Sequence, residues 1–154
     1  MATSRIVKAQ MLIRKPVDEV FKAFIDPAIT KNFWFTHGSG KLEEGKTLTW
    51  EWEMYNVSTT VSVKEIVPNE RILIEWDQPP TTVDFEFRRL GDDRTYVTIQ
   101  NYGFRNSDEE LPTLFNDLAG GFTTVLDGLK AYLEHGINLN LIADKFPQQR
   151  KVNA

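Results

Sequence analysis

At 154 residues, with 41% hydrophobic and 26% charged positions, the chain has the profile of a globular protein able to bury a core. Its 22 acids and 18 bases leave a formal net charge of −4 with no basic block, which argues against nucleic acid or a membrane surface as partner. The absence of cysteine removes disulfides, thiolate metal sites and a cysteine nucleophile together.

The first residues, Met1-Ala2-Thr3-Ser4-Arg5-Ile6, lack the apolar core of a signal peptide, and no later run is long enough for a membrane span. The cytoplasm is the expected location. Val7, Ala9, Met11 and Ile13 alternate with Lys8, Gln10 and Arg14, as a half-buried first strand does. Pro16 then opens a short helix, where its missing N–H is harmless, and Val17, Val20, Phe21 and Phe24 form the apolar side. Asp26-Pro27 ends it, and a second short helix is expected through Ile29 to Phe33-Trp34.

From Thr47 the pattern changes to period two. Leu48, Trp50, Trp52 and Met54 lead into Val57, Thr59, Val61 and Val63. Ile72, Ile74 and Trp76 come next, then Val83, Phe85 and Phe87, and finally Thr95, Val97, Ile99 and Asn101. Short turns at Pro68-Asn69-Glu70, Pro79-Pro80 and Gly91-Asp92-Asp93 predict antiparallel neighbours in a meander. Clean alternation implies one wet face and one covered face.

Only one later element is long enough to cover it. Between Asp108 and Glu134, Leu111, Leu114, Phe115, Leu118, Phe122, Val125, Leu126, Leu129 and Leu133 recur at helical steps. Asn116, Asp117, Thr123, Asp127 and Lys130 are left towards water. Ser107 and Glu110 fit a capping box, Pro112 suits a helix start with a turn before it, and Gly136 suits the stop. A helix of this length spans on the order of 30 Å, enough to cross a small sheet. Gly120-Gly121 in its middle costs about 1 kcal/mol per glycine against alanine, so it calls for either a bulky neighbour or a ligand space. Beyond the helix, Leu139, Leu141 and Ile142 predict a segment that packs back on the domain or on a second subunit.

Several constellations invite chemistry. Gly40-Lys41-Leu42-Glu43-Glu44-Gly45-Lys46-Thr47 matches the phosphate-loop pattern letter for letter. That loop needs a helix start after it, whereas Leu48-Thr49-Trp50-Glu51-Trp52 alternates as a strand, so a hairpin turn is the reading. His37 and His135 are too far apart in sequence, with no cysteine, to give a metal-ligand spacing. His37 follows Phe33-Trp34-Phe35 and could serve a ligand as donor or base; His135 suits a helix end. Glu51, Glu53, Asp84 and Glu86 fall out of phase with the aromatic faces and should meet solvent. Asn101 falls on the covered face, and Tyr55 and Tyr102 lie near strand ends, within reach of a cavity rim.

Four phrases, in order, resemble a known family. They are Pro16-Val17-Asp18-Glu19-Val20-Phe21-Lys22-Ala23-Phe24 with Asp26-Pro27 and Phe33-Trp34, and Val63-Lys64-Glu65-Ile66-Val67-Pro68-Asn69-Glu70-Arg71-Ile72 with Glu75-Trp76. Arg94-Thr95-Tyr96-Val97-Thr98-Ile99 through Gly103-Phe104, and Gly121-Phe122 with Leu126, Leu129 and Leu133-Glu134, complete the set. Together they resemble the activator of heat-shock protein 90 ATPase homologue family of the START-like (SRPBCC, helix-grip) superfamily. The resemblance implies a curved antiparallel sheet gripping the long helix, with a deep cavity between them. It implies no particular reaction, because members bind, transport, cyclise or contact other proteins. The family often carries tryptophan where Phe122 stands and histidine where Asn101 stands.

The expectation is therefore an α+β helix-grip fold: a curved antiparallel sheet of about six strands, two short helices and a long C-terminal helix across it. Residues 1–147 form one domain and 148–154 a flexible tail. The expected activity is binding of a small hydrophobic molecule, a lipid or polyketide, between sheet and helix. Trp34, Trp50, Trp52, Trp76, Phe85, Phe115 and Phe122 supply contact area; His37, Asn101 and Tyr102 supply polar anchoring. No catalytic residue, metal ligand or cofactor is assigned. Two alternatives stand beside this reading: a module contacting a chaperone ATPase, and a cyclase or hydrolase using the same pocket. A homodimer stays open.

Overall fold

In a computed structural model, residues 5–77 and 79–147 are described. The expected tail at 148–154 lies outside them. Strand β1 (Val7–Ile13) is followed by α1 (Val17–Ile25) and α2 (Pro27–Thr30). Strands β2 (His37–Gly38), β3 (Thr47–Trp52), β4 (Val57–Val67), β5 (Arg71–Trp76), β6 (Thr81–Gly91) and β7 (Arg94–Tyr102) then precede α3 (Leu111–His135) and α4 (Leu141–Lys145). No helix among the described residues is long and apolar enough to cross a membrane.

The strands form one antiparallel sheet in the order β1-β7-β6-β5-β4-β3-β2. Six of the seven follow one another as a meander; β1 alone crosses to the far edge and pairs with β7. The count exceeds the expected six because the two-residue β2, too short to show alternation in the sequence, pairs His37 with Glu51 and Gly38 with Trp50. Register shifts between Val63 and Glu65 and between Arg89 and Gly91 are bulges, which bend strands and curl the sheet. The phosphate-loop-like stretch Gly40–Thr47 connects antiparallel β2 and β3 through a turn with Gly45 at φ +86°, so no helix N-terminus follows it.

Asp26 accepts from the Ala28 N–H at 3.0 Å and Pro27 occupies the first helical position, so α2 starts earlier than expected. It also stops earlier, at Thr30. Phe33, Trp34 and Phe35 are all buried, and three consecutive side chains cannot share one face of a helix. The chain instead turns at Lys31 and feeds all three rings into the core.

Helix α3 begins after a turn, with Pro112 in its first turn and the Ser107 N–H donating to Glu110 Oε1 at 3.2 Å. It ends at Gly136, whose φ of +67° lets its N–H bond the Tyr132 carbonyl at 2.8 Å. Phe122, Val125, Leu126 and Leu129 are buried on the sheet, and the closest approach is to β1. Lys130 is not turned to water as expected. Its Nζ donates to the Leu12 carbonyl at 2.9 Å and to Glu134 Oε2 at 2.7 Å, and the same oxygen accepts from the Arg14 N–H at 2.8 Å. Glu134 is thereby the bolt between helix and first strand. Burial pushes its carboxyl pKa up, but the bonds from Lys130 and Arg14 outweigh this and hold it below the usual range.

Candidate functional site

The middle of the expected hollow is filled. Trp34 meets the rings of Phe24, Phe35, Trp50, Trp52, Trp76, Phe85 and Phe122 at centroid distances of 5.0 to 6.4 Å. Trp50 and Phe85 are 2% and 1% exposed, so both are core residues with no free face. The four tryptophans pack mostly on one another and on neighbouring phenylalanines.

Space remains to one side: α3 lies against β1, at the opposite edge of the sheet from β3 and β4. A cleft of about 690 Å3 opens there between the ends of β3, β4 and β5, α3 and α4. Trp52, Tyr55, Trp76, Leu118, Gly121 and Ile142 make its wall; Asp77, Asp117 and Lys145 are charged groups on its lining. Its inner end, a space of about 120 Å3, shares Trp76, Asp117, Leu118, Gly121 and Ile142 with it and adds the buried Trp34, Phe122 and Val125.

Local structure aims these groups. A 3-10 turn at Glu53–Tyr55, closed by Asn56 at φ +55°, turns the chain between β3 and β4 and leaves Tyr55 at the cleft. Asp77, also left-handed at φ +70°, ends β5, where its N–H donates to Thr59 Oγ1 at 3.2 Å and Thr59 Oγ1 donates to Asp77 Oδ1 at 2.9 Å. That reciprocal pair fixes the β4 and β5 ends beside Trp76. Trp76 stacks on Phe122 at 5.8 Å and 22°, and its buried Nε1–H meets no acceptor among the described residues.

The far wall is α4, which the segment after Gly136 brings back across the molecule. Asn140 at φ +57° starts it, the Tyr55 hydroxyl donates to the Ile142 carbonyl, and the Ala143 carbonyl lies 3.3 Å from the same oxygen. Lys145 Nζ donates to Thr124 Oγ1 at 3.3 Å. The expected return of the apolar tail onto the domain is thus made by Ile142, packed against the core, while Ile137 and Leu139 are about half exposed.

Of the expected contact residues, Trp52 and Trp76 line the cleft, and Trp34 and Phe122 line its inner end. Phe115 does neither; it packs on Phe104 at 5.2 Å. The three expected polar anchors lie elsewhere. His37 pairs with Glu51 on the outward face of the sheet edge, its side chain 60% exposed, which removes it as a base for chemistry in this cleft. Asn101 is on the covered face but donates to Thr81 Oγ1 at 3.1 Å and the Thr82 carbonyl at 2.8 Å, between β1 and β6. Tyr102, one residue out of phase, falls on the opposite face.

Asp84 is likewise on the outer face, as expected, yet buried rather than solvated. Arg71 lies over it, with Nε to Oδ1 at 3.0 Å and a second nitrogen to Oδ2 at 2.6 Å. The hydrogen bonds Arg71 donates to Asp84 raise the guanidinium pKa above its ordinary value, against the opposing effect of burial. Sequence reading missed Leu118, Ile142, Asp77, Asp117 and Lys145 as lining; Gly121 and Tyr55 carried signals, a costly helix glycine and a strand-end hydroxyl.

The family model described as "Activator of Hsp90 ATPase homolog 1-like protein" matches residues 14–134. The chain belongs to this activator-homologue family. A Staphylococcus saprophyticus protein has 27% identity and a TM-score of 0.77, covering 87% of this chain and 95% of its own. DynU16, a protein of the dynemicin biosynthetic locus, has 21% identity and a TM-score of 0.77; the match covers 88% of this chain and 49% of DynU16. An Aha1 from Colwellia psychrerythraea, solved as a dimer, has 15% identity and a TM-score of 0.73, covering 85% of this chain and 97% of its own. No curated protein matches. The activator-homologue match contains Trp52, Tyr55, Trp76 and Gly121, but stops before α4, so the far wall of the cleft lies outside it.

Proposed function

We propose that the chain binds a small, largely apolar molecule in the cleft between the β3–β5 ends, α3 and α4. The observation that carries the reading is the cleft itself, about 690 Å3 with Trp52, Tyr55, Trp76, Leu118 and Ile142 as its wall. Small-molecule sites run to some 300–1,000 Å3, mostly apolar with a few polar groups. Tyr55, Thr59 and Ser58 are the neutral polar groups here, and Asp77, Asp117 and Lys145 the charged ones. The chemistry assigned is binding: the polar groups on the lining are one phenol, two hydroxyls, two carboxylates and one ammonium.

A thermal-shift screen with lipids, flavonoids and polyketides tests this. A ligand of the native state at 100 times its Kd adds about 2.7 kcal/mol, an easily read rise in Tm. Trp52→Ala should abolish the rise. Absence of any shift across the panel, with nothing small co-purifying in native mass spectrometry, would end the reading.

A second reading has its own observation. Ile137 and Leu139, 50% and 49% exposed, stand side by side on the segment leading to α4. They suit contact with a second copy or with a chaperone ATPase, the partner in the family's description. Light scattering of the wild type against Ile137→Asp reports the first, and a chaperone ATPase rate unchanged by the protein would exclude the second.

A further inference from the structure

Three glycines interrupt α3, and an added Cβ would meet different surroundings at each. At Gly128 an added Cβ would sit 3.2 Å from Phe33 Cβ and 3.4 Å from the Phe33 carbonyl, a tight fit that Phe33 would have to yield to by a few tenths of an ångström. At Gly120 the added atom would meet Lys145 Nζ at 3.5 Å, an ordinary contact. At Gly121 it would meet nothing within 4 Å, and the backbone there is ordinary helix with no positive φ. Neither sterics nor backbone conformation explains a residue that weakens a helix interior relative to alanine.

The open space at Gly121 is the cleft. Gly121 lines both the cleft and its inner end, and Trp76 borders both as well. The inner space is therefore bordered by bare helix backbone at Gly121 and by Trp76, whose indole stacks on Phe122. A buried apolar cavity of about 150 Å3 accommodates benzene. The inner end, about 120 Å3 and continuous in lining with the larger cleft, is of the size of a single ring.

We propose that Gly121 is the specificity-determining residue of the cleft: its missing side chain keeps open a slot in which one ring of a planar, uncharged, ring-containing ligand lies against Trp76. This rests on the binding reading above and narrows its ligand class. Unbranched chains, which fill a groove without needing a flat slot, gain nothing from the glycine. A protein that keeps glycine here gives up helix stability for access, the trade expected where function and stability conflict.

The test uses N-phenyl-1-naphthylamine, a neutral fused-ring probe whose fluorescence rises in apolar surroundings, and dodecanol as the unbranched comparator. Gly120→Ala, Gly121→Ala, Gly121→Leu and Trp52→Ala are measured beside the wild type, with urea unfolding of each. Gly120→Ala and Gly121→Ala should both raise the unfolding midpoint. Only the Gly121 variants should weaken the naphthylamine, severalfold for alanine and at least tenfold for leucine, with dodecanol affinity changed less than twofold. Equal naphthylamine affinity in wild type and Gly121→Leu, with Trp52→Ala still weakening it, would overturn the role of Gly121 and leave the cleft reading standing. Equal losses of both probes in the Gly121 variants would overturn the planar class. Binding of neither probe by the wild type would sink the cleft reading and this inference together. Should Gly121→Leu not fold, the alanine variant carries the comparison, since its Cβ meets no atom.

Discussion

The Tyr55 hydroxyl donates to the main-chain carbonyl of Ile142, joining the turn between β3 and β4 to the short C-terminal helix across the cleft. Ile142 lines the cleft and its inner end, so this phenol, together with Ile142 packing and the Lys145–Thr124 bond, holds one wall against the rest. Tyr55→Phe keeps the ring and removes the bond. It should cost about 0.5–1.5 kcal/mol locally, the usual net worth of one hydrogen bond. Amide exchange at 141–145 should accelerate several-fold while exchange in β4 and β5 stays as it was. Unchanged protection of α4 would mean that Ile142 packing alone secures it.

Trp34 is the keystone of the ring cluster, in contact with seven other aromatic side chains and 6% exposed. Trp34→Ala should destabilise by about 3–5 kcal/mol, the range for large-to-alanine changes in a packed core. The cavity it leaves would connect with the inner end of the cleft, so apolar probes should bind the variant at least as well as the wild type. Urea unfolding and probe titration together check both halves of that expectation.

On the outer face of the sheet Arg71 covers the buried carboxylate of Asp84. Arg71→Gln leaves Asp84, 4% exposed, without its bidentate partner. The expected cost is about 1–3 kcal/mol, that of stranding a buried acceptor. Arg71→Gln with Asp84→Leu should recover much of it, because removing both polar partners is cheaper than removing one. A double mutant no better than the single would show that the carboxylate has other support.

Periodicity made the sheet legible, since strands β3 to β7 alternate for long enough to establish a phase, and phase decides which face a residue takes. It does not say where along a strand the open space lies, which is why Asn101, on the covered face as expected, bonds Thr81 and Thr82 and is not on the cleft lining. His37 belongs to a strand of two residues, too short to have a phase at all. Trp34 sits in a run of three adjacent aromatics, a pattern with no period to read. The Tyr55–Ile142 contact joins residues far apart in sequence, which no local pattern encodes. Gly121 was the exception: an anomaly visible in the sequence because glycine in a helix interior always asks for a reason.

Glu134 gives the fold a pH dependence whose sign follows from its partners. Its carboxyl pKa is held below the unfolded value of about 4.3 by Lys130 and the Arg14 N–H, with His135 also close by. A depressed folded pKa stabilises the native state above the unfolded value, and the contribution is lost as pH falls through the folded one. Glu134→Gln keeps the shape and removes the charge, so at pH 7 it should cost about 1.5–3 kcal/mol, the worth of hydrogen bonds to a charged group. The gap between wild type and variant should stay constant from pH 7 to about 5, then narrow below about 4.3 as the wild-type carboxylate takes up a proton. Urea midpoints at half-unit pH steps would show this directly. A gap that persists undiminished at pH 3 would mean that the carboxylate's geometry, rather than its charge, holds α3 to β1.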